Sequence, residues 1–335
     1  MSKRKITMTA ALALVLFCSG AAAAAETALI GDSMGACMGE EGFETAWLDR
    51  IHSYITRTLC QPSVWFDNFF GEQRSGEEWP GSLVRWRSSF RRDEKEGDLF
   101  GSGVSASLRL PKMSQKFRLI ITSQDNDLDA PGHPGEDPFL QDTDPGVTAD
   151  TKRSAAGLRY DLSDTRRARL HLGAGFRLTD TVEPYVRLRL RVTEPLSSHT
   201  LVRLTPAVVW FRDEGINQSF RIDFDWRLGE SALARATEAA LWKEVEPGVQ
   251  WGSALSLFDR LGPTVVAGIE GSAEGNTYPK NDVARYRLVT RIRSNFIRPW
   301  LFLEAAPELY WPRDDTGRYR RYKATTLRIE VQFFS

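Results

Sequence analysis

The stretch from Arg167 to Leu178, Arg-Ala-Arg-Leu-His-Leu-Gly-Ala-Gly-Phe-Arg-Leu, decides the fold. Ala168, Leu170, Leu172, Ala174, Phe176 and Leu178 make one apolar face. Arg167, Arg169, His171, Gly173, Gly175 and Arg177 make the other. Period two over a dozen residues predicts a long strand, apolar on one side and polar on the other. The pattern recurs. Val186, Leu188, Leu190 and Val192 alternate with Arg187, Arg189 and Arg191. Phe220, Ile222, Phe224, Trp226 and Leu228 alternate with Arg221, Asp223, Asp225 and Arg227. Near the end, Leu327, Ile329, Val331 and Phe333 alternate with Arg328, Glu330 and Gln332.

Composition narrows the classes. The 335 residues are 41% apolar and 26% charged, with a mean hydropathy of −0.35. A bundle of transmembrane helices needs several runs of about 20 apolar residues, which are missing. Aromatics spread along the whole chain argue against disorder. Residues 1–25 read as an export signal. Lys3, Arg4 and Lys5 precede the apolar run Thr9 to Phe17, and Ala23-Ala24-Ala25 offers cleavage between Ala25 and Glu26. The rival is a lipoprotein signal ending at Cys18, with Phe17 where a small residue is expected. Cleavage at Ala25 removes three of 44 basic residues from a chain with 44 acids, so the mature chain is slightly acidic.

Soluble strands average about five or six residues, whereas a strand needs about 9 to 11 to cross a bilayer at a tilt. The segments here have the longer length. Lipid offers no hydrogen bonds, so a spanning sheet must close on itself. Region 83–335 therefore resembles the outer-membrane β-barrels of Gram-negative bacteria, porin-like, all-β and antiparallel. Fourteen segments can be counted: 83–92, 99–110, 116–124, 153–161, 167–178, 182–193, 200–212, 217–228, 232–244, 248–258, 263–274, 283–294, 299–311 and 321–334. Twelve or sixteen strands remain open. An even count puts both ends on the periplasmic side. Segment 232–244 reads as a hairpin strand or a short helix. The turn Glu246-Pro247-Gly248 favours the strand.

Trp210, Phe211, Trp242, Trp251, Tyr310 and Trp311 fall at outer ends, and Trp226 and Trp300 at inner ends, as interface girdles require. Pro184, Pro206 and Pro307 each remove a ladder donor and should sit at bulges or strand ends. Barrels of this kind commonly finish on an aromatic residue read by the insertion machinery. This chain ends Phe333-Phe334-Ser335, a slight departure. Val64-Trp65-Phe66-Asp67-Asn68-Phe69-Phe70-Gly71, just before the barrel, is similar to a stretch in uncharacterised outer-membrane proteins. The resemblance implies outer-membrane lipid and the insertion machinery as partners, and no activity.

Residues 26–82 do not alternate. They form a separate periplasmic segment with ten acids against three basic residues. Phe43, Trp47, Leu48, Ile51, Tyr54 and Ile55 recur at helical spacing. In an oxidising compartment Cys37 and Cys60 suggest one disulfide tying the ends of that helix, with two free thiols as the alternative. The segment is either a periplasmic cap or a plug pairing its acids with interior arginines.

Arginine on a lipid face costs about 2–4 kcal/mol at mid-membrane. Strand phase therefore turns inward Arg167, Arg169, Arg177, Arg187, Arg189, Arg191, Arg221, Arg227, Arg285, Arg287, Arg291 and Arg293, the candidate pore lining. Arg85, Arg87, Arg118, Arg159, Arg203 and Arg328 share that phase. A basic, water-filled lumen would prefer anions. The competing expectation is that Asp223, Asp225, Glu270, Glu304 and Glu330 neutralise Arg187, Arg189 and Arg191 in a filled core. Residues 125–150 carry eight acids and no Lys or Arg. This loop is expected outside the cell, as a solvated run, a weak Ca²⁺ ligand or a constriction.

Other chemistry is poorly supported. Ile30-Gly31-Asp32-Ser33-Met34 resembles the first block of a Gly-Asp-Ser lipase, but no Asp-x-x-His block follows near the C-terminus. His52, His133, His171 and His199 show no metal-ligand spacing with the cysteines. No cofactor, no metal, no catalytic residues and no nucleic acid are expected. The leading expectation is a passive channel for small anionic or polar solutes. The alternative is a non-conducting barrel serving assembly or surface-polymer or protein export. A lipid-modifying enzyme comes third. The sequence leaves the oligomeric state open.

Overall fold

The computed structural model of the chain describes residues 82–110, 116–124, 153–165, 167–178, 181–298 and 300–334. The signal, its Ala25–Glu26 junction, the Cys37–Cys60 pair, the expected N-terminal helix and the acidic loop 125–150 lie outside the described residues.

Fifteen strands run in chain order. They are β1 (Leu83–Asp93), β2 (Gly97–Arg109), β3 (Phe117–Gln124), β4 (Arg153–Asp164), β5 (Ala168–Leu178), β6 (Val182–Pro195), β7 (Thr200–Leu204) and β8 (Ala207–Phe211), then β9 (Gly215–Arg227), β10 (Ala232–Lys243), β11 (Val249–Gly262), β12 (Val265–Asn276), β13 (Asp282–Arg298), β14 (Leu301–Pro312) and β15 (Tyr322–Phe334). β7 and β8 both lie between β6 and β9. They are two halves of one crossing, parted at Thr205-Pro206, where the proline has no N–H to give a ladder. Every crossing is antiparallel to its neighbours, and β15 returns to β1 from Leu83↔Phe334 to Asp93↔Ala324. The sheet is a closed barrel of fourteen strands with no free edge. Segment 232–244 is strand β10, and Pro307 faces a gap in the β13–β14 register.

Alternation dictates the wall. On β1, Trp86 and Phe90 face out while Arg85, Arg87, Ser89, Arg91 and Asp93 are inside. The same division holds around the circumference. Phe100 is 70% exposed, Phe176 56%, Leu255 63% and Phe333 58%. So continuous an apolar surface is not tolerated in water, and lipid is its solvent. The chain is a transmembrane β-barrel of the outer-membrane type.

Leu83 opposite Phe334 puts the start of β1 and the end of β15 on one rim, here the lower. By register Trp210, Trp242, Trp251 and Trp311 face outward near the upper rim and Trp226 near the lower. Two assigned girdle residues do not belong to it. Phe211 and Tyr310 are 3% and 4% exposed and point inward. Each neighbours an outward tryptophan in sequence, so a one-residue difference in phase decides between lipid and interior.

Candidate functional site

The interior is where the chemistry lies, and it has two unlike flanks. On the closing flank, β13, β14, β15 and β1 interleave arginines and glutamates. Glu330 is fully buried and meets Arg293 at 3.0 Å, Arg87 at 3.2 Å and Arg85 at 3.3 Å. Glu304 accepts from Arg328 at 2.7 Å and Arg293 at 3.3 Å. Glu308 joins Arg91 at 2.9 Å to Arg287 at 2.8 Å. Asp93 takes Arg91 at 2.7 Å and the Tyr310 hydroxyl at 2.6 Å. Glu330, Glu308 and Asp93 each tie β1 to strands at the far end of the chain, so the network crosses the seam where the barrel closes. Such charges are tolerable in a low-dielectric interior only when paired and hydrogen-bonded.

The opposite flank is β5, β6 and β7. Its interior positions carry Arg169, Arg177, Arg187, Arg189, Arg191 and Arg203, with Glu183 the one interior acid among the described residues of these strands. Arg169 lies directly opposite Arg191, and His171 opposite Arg189. Like charges set across a ladder repel. Glu183 serves the upper end, where Arg177 donates to it and to Glu214 and lies 4.0 Å over the Phe211 ring. Lower down, on the neighbouring β4, Asp161 gathers His171 Nδ1 at 2.7 Å, Arg159 at 3.0 Å and Arg118 at 3.7 Å.

Glycines make room for one aromatic on this flank. Gly157 and Gly175 face each other across β4 and β5, and Tyr185 on β6 is opposite Gly175. A Cβ on Gly157 would stand 2.6 Å from the Tyr185 hydroxyl. The ring therefore occupies the space that side chains would otherwise fill.

The interior is not uniformly polar. Leu233, Phe258, Val266 and Phe302 form one buried inward cluster near the lower rim. Arg293 stacks 4.4 Å over the Phe302 ring, a cation–π contact that desolvation strengthens. Ala207, Val209, Phe211 and Leu241, with Tyr185 against them, form a second near the upper rim. Parts of the interior are therefore packed as a protein core.

The structure separates the candidate arginines. Arg167 does not line the interior: it lies in the turn before β5, its side chain 57% exposed and 3.6 Å from Glu194. The strand starts one residue later than the alternation suggests, so phase no longer fixes its direction. Arg287 and Arg293 belong to the closing network. Arg285 donates to Glu274 at 2.6 Å, and Arg221 to Asp223 at 2.8 Å. Arg227 and Arg291 keep the interior phase by register. Arg169, Arg187, Arg189 and Arg191 stand together on the arginine flank. Of the acids expected to neutralise Arg187, Arg189 and Arg191, Glu304 and Glu330 bind in the seam, Asp225 accepts from Arg235 at 2.6 Å, Asp223 accepts from Arg221 and Thr237 and stands directly opposite Arg203, and Glu270 accepts from the Ser256 hydroxyl at 2.9 Å.

Sequence reading missed Arg91 and Arg235, both interior and buried. Arg91 shares the phase of Arg85 and Arg87 and could have been found from it. Arg235 was hidden by the strand-or-helix ambiguity of its alanine-rich segment. His199 lies 2.8 Å from the Ser198 hydroxyl in an exposed turn.

No protein-family model matches the chain, and no curated protein matches it. Solved structures share the architecture at low identity. The outer membrane channel DcaP of Acinetobacter baumannii is 9% identical, with a TM-score of 0.44 over 76% of this chain and 98% of that one. OccK11 (OpdR) of Pseudomonas aeruginosa is 8% identical, TM-score 0.43, over 76% and 96%. OmpT, an outer membrane protein of Vibrio cholerae, is 10% identical, TM-score 0.40, over 75% and 96%. At that distance nothing about their cargo transfers to this barrel.

Proposed function

We propose that the barrel is a passive channel for small anionic solutes and that the arginine flank is their track. The observation that supports this most is the run of interior arginines on β5, β6 and β7, where Arg169 stands opposite Arg191, Arg189 opposite His171, Arg177 opposite Glu183 and Arg203 opposite Asp223. Successive interior positions on a strand lie about 7 Å apart. An anion moving along β6 would thus pass Arg187, Arg189 and Arg191 in turn, never far from a cation. A low-dielectric wall strengthens their field, and the energy of transfer between similar sites stays small.

The second reading is a barrel that does not conduct and serves assembly or export. The buried seam network and the two apolar clusters favour it, because both fill interior volume. Conductance separates the two. Purified protein refolded into a planar bilayer under a salt gradient should give steady channels with an anion-selective reversal potential. The triple variant Arg187→Gln, Arg189→Gln, Arg191→Gln should move that potential toward zero while keeping the folded barrel's electrophoretic mobility. A folded barrel without conductance, or with cation selectivity, overturns the channel reading.

A further inference from the structure

The upper rim of the outer wall carries a cluster of cations on β15 and β1. Lys323 is exposed and has outward phase on β15, opposite Leu309 and next to the buried, inward Ala324. Arg92 has outward phase at the top of β1, opposite Thr325, with its side chain 81% exposed. Arg321 keeps the outward phase just beyond β15. The Arg313–Tyr319 bridge and the Arg320 N–H, which donates to the Pro312 carbonyl at 3.4 Å, continue the ladder there. Tyr319 fixes this arrangement from outside. Its ring lies 5.2 Å from that of Tyr286, which is exposed on the outer wall, and its hydroxyl donates to the Val283 carbonyl at 2.8 Å. Arg321 and Lys323 are about 7 Å apart along their strand. Three acids stand near. Asp98, opposite Arg92 on β2, lies 3.8 Å from it. Glu94 accepts from the Lys323 N–H at 3.1 Å, and Glu96 follows in the same turn beside Lys95, which lies over the Tyr322 ring. Among the described residues Arg321 and Lys323 make no ion pair. Other outward cations of this rim are taken: Arg212 by Asp213 at 2.9 Å and Arg313 by Asp282 at 2.6 Å. Below the cluster the wall is apolar, with Phe90 opposite both Phe100 and Leu327, which are 70% and 52% exposed.

We propose that this patch holds the headgroup of a phosphorylated lipid in the leaflet at the upper rim, with its acyl chains on Phe90, Phe100 and Leu327. Placement chooses the occupant. Cations of outward phase face the membrane boundary, so a solute inside the barrel does not meet them. The ligand must bring negative charge at the boundary and hydrocarbon beneath it. A phosphomonoester carries nearly two negative charges and three acceptor oxygens. The Arg321 guanidinium can take two oxygens side by side. Lys323 adds a point charge on a long stem that lies along the apolar wall. Arg92 completes the triangle by turning from Asp98, because an exposed pair at that distance is weak. A zwitterionic headgroup brings its own cation into the cluster and loses much of the attraction.

The test is native mass spectrometry of the folded barrel in detergent, titrated with phosphatidic acid or with phosphatidylcholine of the same chains. Preferential retention of phosphatidic acid is expected. The double variant Arg321→Gln, Lys323→Gln should weaken that binding by about tenfold or more, the equivalent of one lost charge-assisted hydrogen bond. Asp98→Asn should tighten it by releasing Arg92. Arg212→Gln, on the same rim but away from the patch, should leave it unchanged. All these side chains lie at the surface, and the heat-dependent gel shift of a folded barrel checks each variant. Equal retention of the two lipids overturns the proposal, as does undiminished binding by the double variant. An equal loss in Arg212→Gln would reduce the effect to overall charge and also overturns it. So does displacement of the lipid by millimolar inorganic phosphate, which would make the patch a site for a free anion.

Discussion

The seam flank and the arginine flank use the same residue type, turned inward for the same reason, to opposite ends. At the seam, Arg85, Arg87 and Arg293 converge on Glu330 within 3.3 Å. Around the barrel, Arg169 and Arg191 stand directly opposite each other. Exclusion from lipid explains why arginines face inward, but not what they do there. That depends on whether the strands beside them bring carboxylates. β14 and β15 bring Glu304, Glu308 and Glu330, whereas Glu183 is the one interior acid among the described residues of β5 to β7, with Asp161 on β4 and Asp223 on β9 at their borders. The first arrangement locks a wall, and the second is the track proposed above.

The sharpest way to break this comparison is to remove one acid from the locked flank. Glu330→Leu would leave three arginines facing a buried apolar side chain. Loss of one partner of a buried ion pair costs about 3–5 kcal/mol. The expected result is a fall of that size in urea-unfolding free energy from lipid vesicles. Arg187→Gln, on the other flank, should change stability far less, since its direct ladder neighbours, Gly173 and Val209, are not carboxylates. Similar losses for both would show the flanks to be alike and the distinction empty.

Asp161 marks the border between the two arrangements and offers an intermediate effect. It accepts from His171 and lies beside Arg159 and Arg118. Asp161→Asn keeps the shape but removes the negative charge. Weakening buried hydrogen bonds to charged groups costs about 1–3 kcal/mol. The interior near the lower rim also becomes more positive. Reduced stability together with a reversal potential shifted further toward anions is the expected pair of changes. Unchanged selectivity with reduced stability would place Asp161 with the locking acids and shrink the track to β6.

How far this division was legible depends on the strand. β13 announces itself: Arg285, Arg287, Arg291 and Arg293 alternate with Tyr286, Leu288 and Ile292, so period and phase agree. β10 does not. Ala234, Ala236 and Ala240 face lipid while Leu233 and Leu241 face inward, so both faces are apolar and phase carries no signal. That is why Arg235 and the lipid-facing Glu238 were not foreseen. The partners were harder still. Arg87 and Glu330 are 243 residues apart, and only the register of a closed barrel sets them side by side. Alternation tells which face a residue takes, whereas its neighbour depends on register, which one sequence does not display. Phe211 and Tyr310 show the same limit at a girdle, where aromatic character was legible and the facing direction was not.

The smallest effect lies outside both flanks, in the loop between β14 and β15, and serves as their control. Asp314 accepts from the Thr316 hydroxyl at 2.6 Å, from the Thr316 N–H at 2.9 Å and from the Arg318 N–H at 2.9 Å. Gly317, at φ +80°, turns the chain so that these donors converge. The Thr316 hydroxyl first, then the Arg318 N–H, hold the carboxyl below the ordinary aspartate range. A group whose pKa is lower folded than unfolded stabilises its loop fully above the unfolded value. That contribution is lost as pH falls through the depressed one. Amide hydrogen exchange at Thr316 and Arg318 should therefore gain protection as pH rises through the acid range, after correction for intrinsic rates. Asp314→Asn should abolish that dependence and leave conductance unchanged. If acidification loosened the loop equally in the variant, the cause would lie in the barrel beneath it. The pH response would then belong to the interior carboxylates.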